Sequence, residues 1–162
     1  MIKITMNGIL QTMTDSETTL TLNLEGVKEL ASKIAKALKP RDVLCLWGTL
    51  GAGKTEFARA LIQSFMSSNV EVLSPTFTLV QTYDAPNGTI WHYDLYRLKS
   101  SDEIIELGIE EAFSSGISVI EWPERLEEWL PRRRIDISLR IINEYLREIT
   151  IKPTGMHDFF KL

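Results

Sequence analysis

Hydrophobic and polar positions change period several times along this chain, and each change marks an element. Leu20, Leu22 and Leu24 alternate with polar residues across 18–24, the pattern of a strand with one face in the core. Val27, Leu30, Ile34, Ala37 and Leu38 then recur at helical spacing, with Lys28, Lys33, Lys36 and Lys39 between them. This predicts an amphipathic helix that Pro40 stops. Residues 43–47 are apolar without interruption, as expected of a strand covered on both faces. A glycine-rich turn follows, and Phe57, Ala58, Leu61, Ile62 and Phe65 mark a second amphipathic helix.

Residues 70–73 read as a short strand. The β-rich runs 78–83 and 89–93 flank Asn87-Gly88, a good hairpin signal. Residues 102–113 read as helical with an interruption at Gly108, 116–122 as another buried strand, and 124–130 as a short helix before Pro131. The runs 135–142 and 146–151 alternate as paired strands around Asn143-Glu144. Residues 1–17 lack periodicity and suggest a loose arm or weak edge strand, and the tail 153–162 has no clear pattern. No repeat, low-complexity tract or linker divides the 162 residues, so one domain is expected. Strands alternate with helices first and dominate at the end. The expected fold is α/β, a three-layer domain whose mixed, mostly parallel central sheet is flanked by helices.

Charge and composition narrow the function. Apolar residues make up 44% and charged residues 25%, ordinary for a globular protein. Eighteen basic residues against 22 acidic ones give a net charge of −4, which argues against stand-alone binding of DNA or other nucleic acid. No apolar run is long enough to span a membrane, and no secretory signal is visible. Cys45 is the only cysteine, so an internal disulfide and a cysteine-based zinc site are excluded. These features together predict a cytoplasmic protein.

The chemistry is concentrated in Gly48-Thr49-Leu50-Gly51-Ala52-Gly53-Lys54-Thr55, which fits G-x-x-x-x-G-K-[ST]. A backbone wrapped around phosphate must turn its N–H groups inward, and glycine permits the conformations and the close approach. The loop follows a buried strand and opens a helix, whose N-terminal end faces the same anion. Gly48, Leu50, Gly51, Ala52, Gly53, Lys54, Thr55 and the following Glu56 are therefore expected to bind nucleotide. Lys54 would reach the β- and γ-phosphates and the Thr55 hydroxyl would bind Mg²⁺. An NTPase needs a further carboxylate, and acidic residues at the carboxyl ends of strands are placed for it. Glu121 and Asp94 both end apolar runs, and Glu121 is the better metal candidate. Thr76, stiffened by Pro75, is a candidate switch hydroxyl or a plain turn residue. His92 and Trp122 read as structural, Cys45 as core, and Arg132-Arg133-Arg134 as a solvated turn.

Five segments together resemble one family. They are 47–55; Ser74-Pro75-Thr76-Phe77-Thr78-Leu79-Val80; His92-Tyr93-Asp94-Leu95-Tyr96-Arg97-Leu98; Leu107-Gly108-Ile109-Glu110-Glu111; and Ile120-Glu121-Trp122-Pro123-Glu124-Arg125. Their order and spacing resemble TsaE, the small bacterial ATPase required for threonylcarbamoyladenosine synthesis on tRNA. The resemblance covers about residues 20–139. It implies a P-loop fold, ATP bound with Mg²⁺, Thr55 and Glu121 at the metal, and Asp94, Thr76 and Lys54 as catalytic residues. It also implies that Trp122 lies beside the nucleotide. The implied partner is the TsaB–TsaD complex, through which the chain would serve tRNA indirectly. Binding and hydrolysis would reset that complex between turnovers. Thr49 and Val27 depart from the family pattern. The first matters little because backbone donors cradle the phosphates, and the second leaves the adenine contact unassigned. The alternatives are a small-molecule kinase, which lacks an arginine-bearing lid here, and a GTP switch, which lacks an Asn-Lys-x-Asp segment.

Overall fold

The computed structural model describes residues 13–14, 17–66 and 70–155, so most of the arm 1–17 and of the tail 153–162 lies outside the described residues. Eight strands form one sheet: β1 (Met13–Thr14), β2 (Glu17–Leu22), β3 (Val43–Trp47), β4 (Val80–Ala85), β5 (Gly88–Asp94), β6 (Ile117–Glu121), β7 (Arg134–Ile141) and β8 (Arg147–Thr154). Their spatial order is β1-β2-β8-β7-β3-β6-β5-β4. The helices are α1 (Leu24–Ala37), α2 (Lys54–Phe65), α3 (Glu103–Glu106) and α4 (Ile109–Ser115), with a 3₁₀ helix over Pro123–Trp129.

The sheet is mixed, as expected. Parallel pairing is confined to the middle, where β7, β3, β6 and β5 lie side by side, and antiparallel ladders add β4 at one flank and β8, β2 and β1 at the other. The two central parallel strands, β3 and β6, are the nearly continuous apolar runs, because both of their faces are covered. Alternate residues of β3 serve different cores. Leu44 and Leu46 pack with Leu30, Ile34, Phe57 and Leu61 of α1 and α2. Val43 and Cys45 pack with Tyr93, Ile104, Ile109 and Leu126 on the opposite face. The two apolar layers, with helices outside them, make the three-layer arrangement. Among the described residues, no helix is long and apolar enough to cross a membrane.

Several elements differ from the expectation for identifiable reasons. Leu24 does not extend the first strand. The Asn23 side chain accepts from Gly26 N at 2.9 Å and caps α1, so Leu24 becomes its first residue and is exposed. Residues 70–73 form no strand, and Arg59 Nε instead donates to the Val72 carbonyl at 3.0 Å. The run expected at 78–83 begins at Val80, because Leu79 adopts φ 66°. The segment 124–130 is a 3₁₀ helix broken at Glu127, where φ is 49°. Pairing continues to Thr154, past the strand end expected at Ile151. In the Arg132-Arg133-Arg134 turn, Arg132 and Arg133 are exposed, as expected, and Arg134 is half-buried. Arg133 bonds Asp42 at 3.0 Å and Arg134 bonds Asp136 at 2.8 Å.

Cys45 is fully buried in β3. Burial, reinforced by the nearby Asp136 charge, pushes its thiol far above the usual cysteine range. Because only the thiolate alkylates readily, Cys45 of the folded chain is expected to resist iodoacetamide at about pH 8 and to react fully in denaturant. Mass spectrometry of the two samples reads this directly. Prompt labelling of the folded chain would show that β3 opens locally.

Candidate functional site

The parallel register brings three chain ends to one edge of the sheet. Leu46 of β3 pairs with Glu121 of β6, and Glu121 pairs with Asp94 of β5. Beyond β3 the chain turns through the glycine-rich loop into α2, whose first residues are Lys54 and Thr55. A Cβ on Gly48 would lie 2.5 Å from the Leu139 carbonyl oxygen, so the β7 backbone leaves no room there for any other residue. Gly51 has open space around it but sits at φ 77°, where a Cβ is strained. The loop is braced from outside as well. Arg147 Nε, at the start of β8, donates to the Ala52 carbonyl at 3.1 Å.

Lys54 folds back over this loop. Its Nζ donates to the Gly48 and Thr49 carbonyls at 2.6 and 2.9 Å and lies 3.8 Å from the Trp122 ring centroid. Burial lowers the Lys54 pKa from its ordinary value, while the charges of Glu121, Glu124 and Asp94 oppose that shift. Trp122 holds the left-handed conformation at φ 59°, which turns the chain directly after Glu121, and its ring meets Tyr96 at 4.9 Å between centroids.

Two buried carboxylates are fully engaged. Glu121 Oε2 accepts from the Thr55 hydroxyl at 2.8 Å, and Oε1 accepts from His92 Nε2 at 2.8 Å. Asp94 Oδ2 accepts from the Thr76 hydroxyl at 3.0 Å, and Oδ1 accepts from Tyr96 N at 3.1 Å. The Ser74 and Thr76 hydroxyls are 2.7 Å apart. The loop over 75–79 is tied down through Leu79 N to Pro75 O and Asp94 N to Leu79 O, so the strand end and the Thr76 loop form one unit.

A cavity of about 310 Å³ joins these groups, lined by Leu50, Gly51, Gly53, Lys54, Thr55 and Glu56 on one side. Thr76, Asp94, Tyr96, Glu121 and Trp122 line the other. Of the residues singled out from sequence, Gly48 and Ala52 do not line the cavity. Glu56 reaches the cavity while its carboxylate bonds Arg59. Tyr96 and Arg147 have no individual expectation from sequence, and His92 is expected there only as structural. His92 alternates onto the same sheet face as Asp94, a parity visible in sequence, but its partner Glu121 lies on another strand. Tyr96 is a half-exposed aromatic with no local signal. Arg147 is distant in sequence from the loop it braces.

A sequence model described as the threonylcarbamoyl adenosine biosynthesis protein TsaE matches residues 21–149. The chain belongs to the TsaE family. It is 47% identical over 129 residues to the tRNA threonylcarbamoyladenosine biosynthesis protein TsaE of Rickettsia felis, which covers 80% of this chain and 75% of that protein. Against TsaE of Bacillus subtilis it is 38% identical over 136 residues, covering 83% of this chain and 84% of that one. The crystal structure of Bacillus subtilis YdiB matches with a TM-score of 0.66 at 30% identity over 86% of each chain. TsaE membership and the α/β architecture thus agree with the resemblance read from the five segments.

The loop geometry separates its glycines. Gly51→Ala meets only the left-handed backbone penalty, about 1–2 kcal/mol. Gly48→Ala adds the collision with Leu139, a further ~1–3 kcal/mol of overpacking. Urea denaturation should therefore rank Gly48→Ala as clearly the less stable variant. Equal costs would show that the contact with β7 yields freely.

Proposed function

We propose that this chain binds ATP with Mg²⁺ in the cavity below the glycine-rich loop. It hydrolyses ATP slowly alone and faster on the TsaB–TsaD complex. Through that complex it serves threonylcarbamoyladenosine modification of the tRNA adenosine beside the anticodon. The observation that carries this reading is the single sheet edge that gathers the loop, Lys54, Thr55, Glu121 and Asp94 around one cavity.

The residues present fit a magnesium nucleotide on two grounds. The Gly48 position lacks space for a Cβ, so the loop backbone keeps the close curvature that phosphate binding needs. The cavity is also poor in positive charge. Among the described residues that line it, Lys54 is the only cation, against Glu56, Asp94 and Glu121. Arg59 neutralises Glu56, but Asp94 and Glu121 have no such partner in the lining. A triphosphate entering beside two carboxylates needs a divalent cation with it. Among the described residues no three His, Cys, Asp or Glu side chains cluster to hold a metal by themselves. That suits an ion held mainly by phosphates and water, with one or two protein oxygens.

Each residue then has a role. The loop amides and Lys54 bind the phosphates, and Lys54 exchanges its carbonyl partners for phosphate oxygens. The Thr55 hydroxyl and Glu121 hold the metal side. Asp94 and Thr76, already bonded to each other, act at the reacting end, and Trp122 closes the wall beside the nucleotide. Bound Mg²⁺ supplies neutralisation of charge on the β- and γ-phosphate oxygens.

The direct test is calorimetry of ATP binding. A charge-assisted hydrogen bond contributes about 1.5–3 kcal/mol, so Lys54→Ala is expected to weaken ATP binding by ~10-fold or more. Equal affinity in the variant would remove the phosphates from this loop. The partnership has its own test. Phosphate release should be slow for the isolated chain and rise when TsaB–TsaD is added, and turnover unaffected by the complex would defeat a partner-dependent role.

A further inference from the structure

The buried pair of His92 and Glu121 is more than a structural contact. Both side chains are almost wholly removed from water, at 0% and 2% exposure, and both sit on parallel strands whose register is fixed by the Asp94–Glu121 and His92–Val119 pairs. A glutamate side chain has enough torsional freedom to present either oxygen to the cavity. Here Oε1 is held at 2.8 Å by His92 Nε2. Because a carboxylate only accepts, the proton in this bond resides on Nε2. Oε2 is then left to face Thr55 Oγ1, also at 2.8 Å. His92 Nδ1, in contrast, meets no hydrogen-bond partner among the described residues. A buried ring nitrogen left unpaired has a cost, so the imidazole gains nothing from that side. Its one polar contact is the one that orients Glu121.

We infer that His92 is the positioning residue of the metal-side carboxylate: it locks Oε1 so that Oε2, with the Thr55 hydroxyl, forms a preset pair of oxygens for the nucleotide's divalent cation. This rests on the proposal that Glu121 and Thr55 face Mg²⁺. Groups that orient a metal's ligands are typically worth 10–100-fold in metal affinity. The role belongs to the metal-dependent part of binding alone. Nucleotide held without metal relies on loop amides and Lys54, which His92 does not touch.

Calorimetry with ATP, in EDTA and in excess Mg²⁺, tests this on the full chain. His92→Gln places an amide nitrogen at about the reach of Nε2, whereas His92→Asn is one carbon shorter and cannot meet Oε1. The expected result is that His92→Asn loses about 10-fold or more of the Mg²⁺-dependent gain in ATP affinity. It should keep the affinity measured in EDTA, and His92→Gln should keep both. A purely structural role would lower both affinities together, and it would not separate Gln from Asn. Equal behaviour of the two variants, or an intact Mg²⁺ gain in His92→Asn, overturns the inference. Should Mg²⁺ give the parent chain no gain, the metal site itself has failed, a result separate from the behaviour of the variants. Thermal melts without ligand identify any variant that does not fold. Failure of His92→Asn to fold, alongside a fully functional His92→Gln, transfers the decision to His92→Leu, which must show the same selective loss.

Discussion

The whole site depends on the register of three parallel strands. Pairing Leu46 with Glu121 and Glu121 with Asp94 sets the ends of β3, β6 and β5 level. A parallel ladder slipped by two residues would preserve the alternation of buried side chains, yet would withdraw a carboxylate from the cavity by more than 6 Å, since a strand rises about 3.3 Å per residue. Register is therefore set by more than hydrophobic burial. The hydrogen bonds that join Thr55 to Glu121 and Thr76 to Asp94 close only in this alignment, and each links a strand end to a different neighbouring segment.

Burying charged groups at such an edge is costly unless every oxygen finds a partner. Glu121 and Asp94 meet that condition through four hydrogen bonds, two each, from His92, Thr55, Thr76 and Tyr96 N. Three of those donors are side chains that exist in the fold only because β5, β6, α2 and the Thr76 loop converge. Lys54 meets the same condition with two carbonyls and the face of Trp122. The arrangement is internally satisfied, but it is satisfied by contacts that incoming ligand atoms can replace. The ion pair Arg134–Asp136, whose acceptor is also bonded by Trp47 and Thr154, is satisfied in the same way but does not line the cavity.

Much of this was legible in the chain because it is local. The glycine-rich loop is contiguous, and the apolar run before it and the amphipathic helix after it announce their own geometry. The central strands β3 and β6 are equally clear, since strands covered on both faces are mostly apolar. What the sequence reading missed was decided by competition or by distance. Leu24 continues an alternating pattern, but the Asn23 cap prevails over it. Residues 70–73 have strand composition, yet Arg59 takes the Val72 carbonyl that a neighbouring strand would need. The 3₁₀ helix after Trp122 has helical composition, but a left-handed residue at each of Trp122 and Glu127 breaks the α-helical path. A lone histidine on a strand reads as structural, and its own sequence says nothing about Glu121 on the strand beside it.

The antiparallel flank follows from the same logic. Judged by sequence alone, β7 and β8 are a plain hairpin far from the chemistry. Folded, they supply two walls of the loop: the Leu139 carbonyl against Gly48, and the Arg147 guanidinium on the Ala52 carbonyl. A loop rich in glycine has many conformations available, and ordering it costs more backbone entropy than ordering most segments. Rigid neighbours lower that cost by ordering the loop in advance, which under the proposed function would favour nucleotide binding. The strand-rich end of the chain thus braces the loop, and a loop excised with its own strand and helix alone would lose the surfaces that hold it in place.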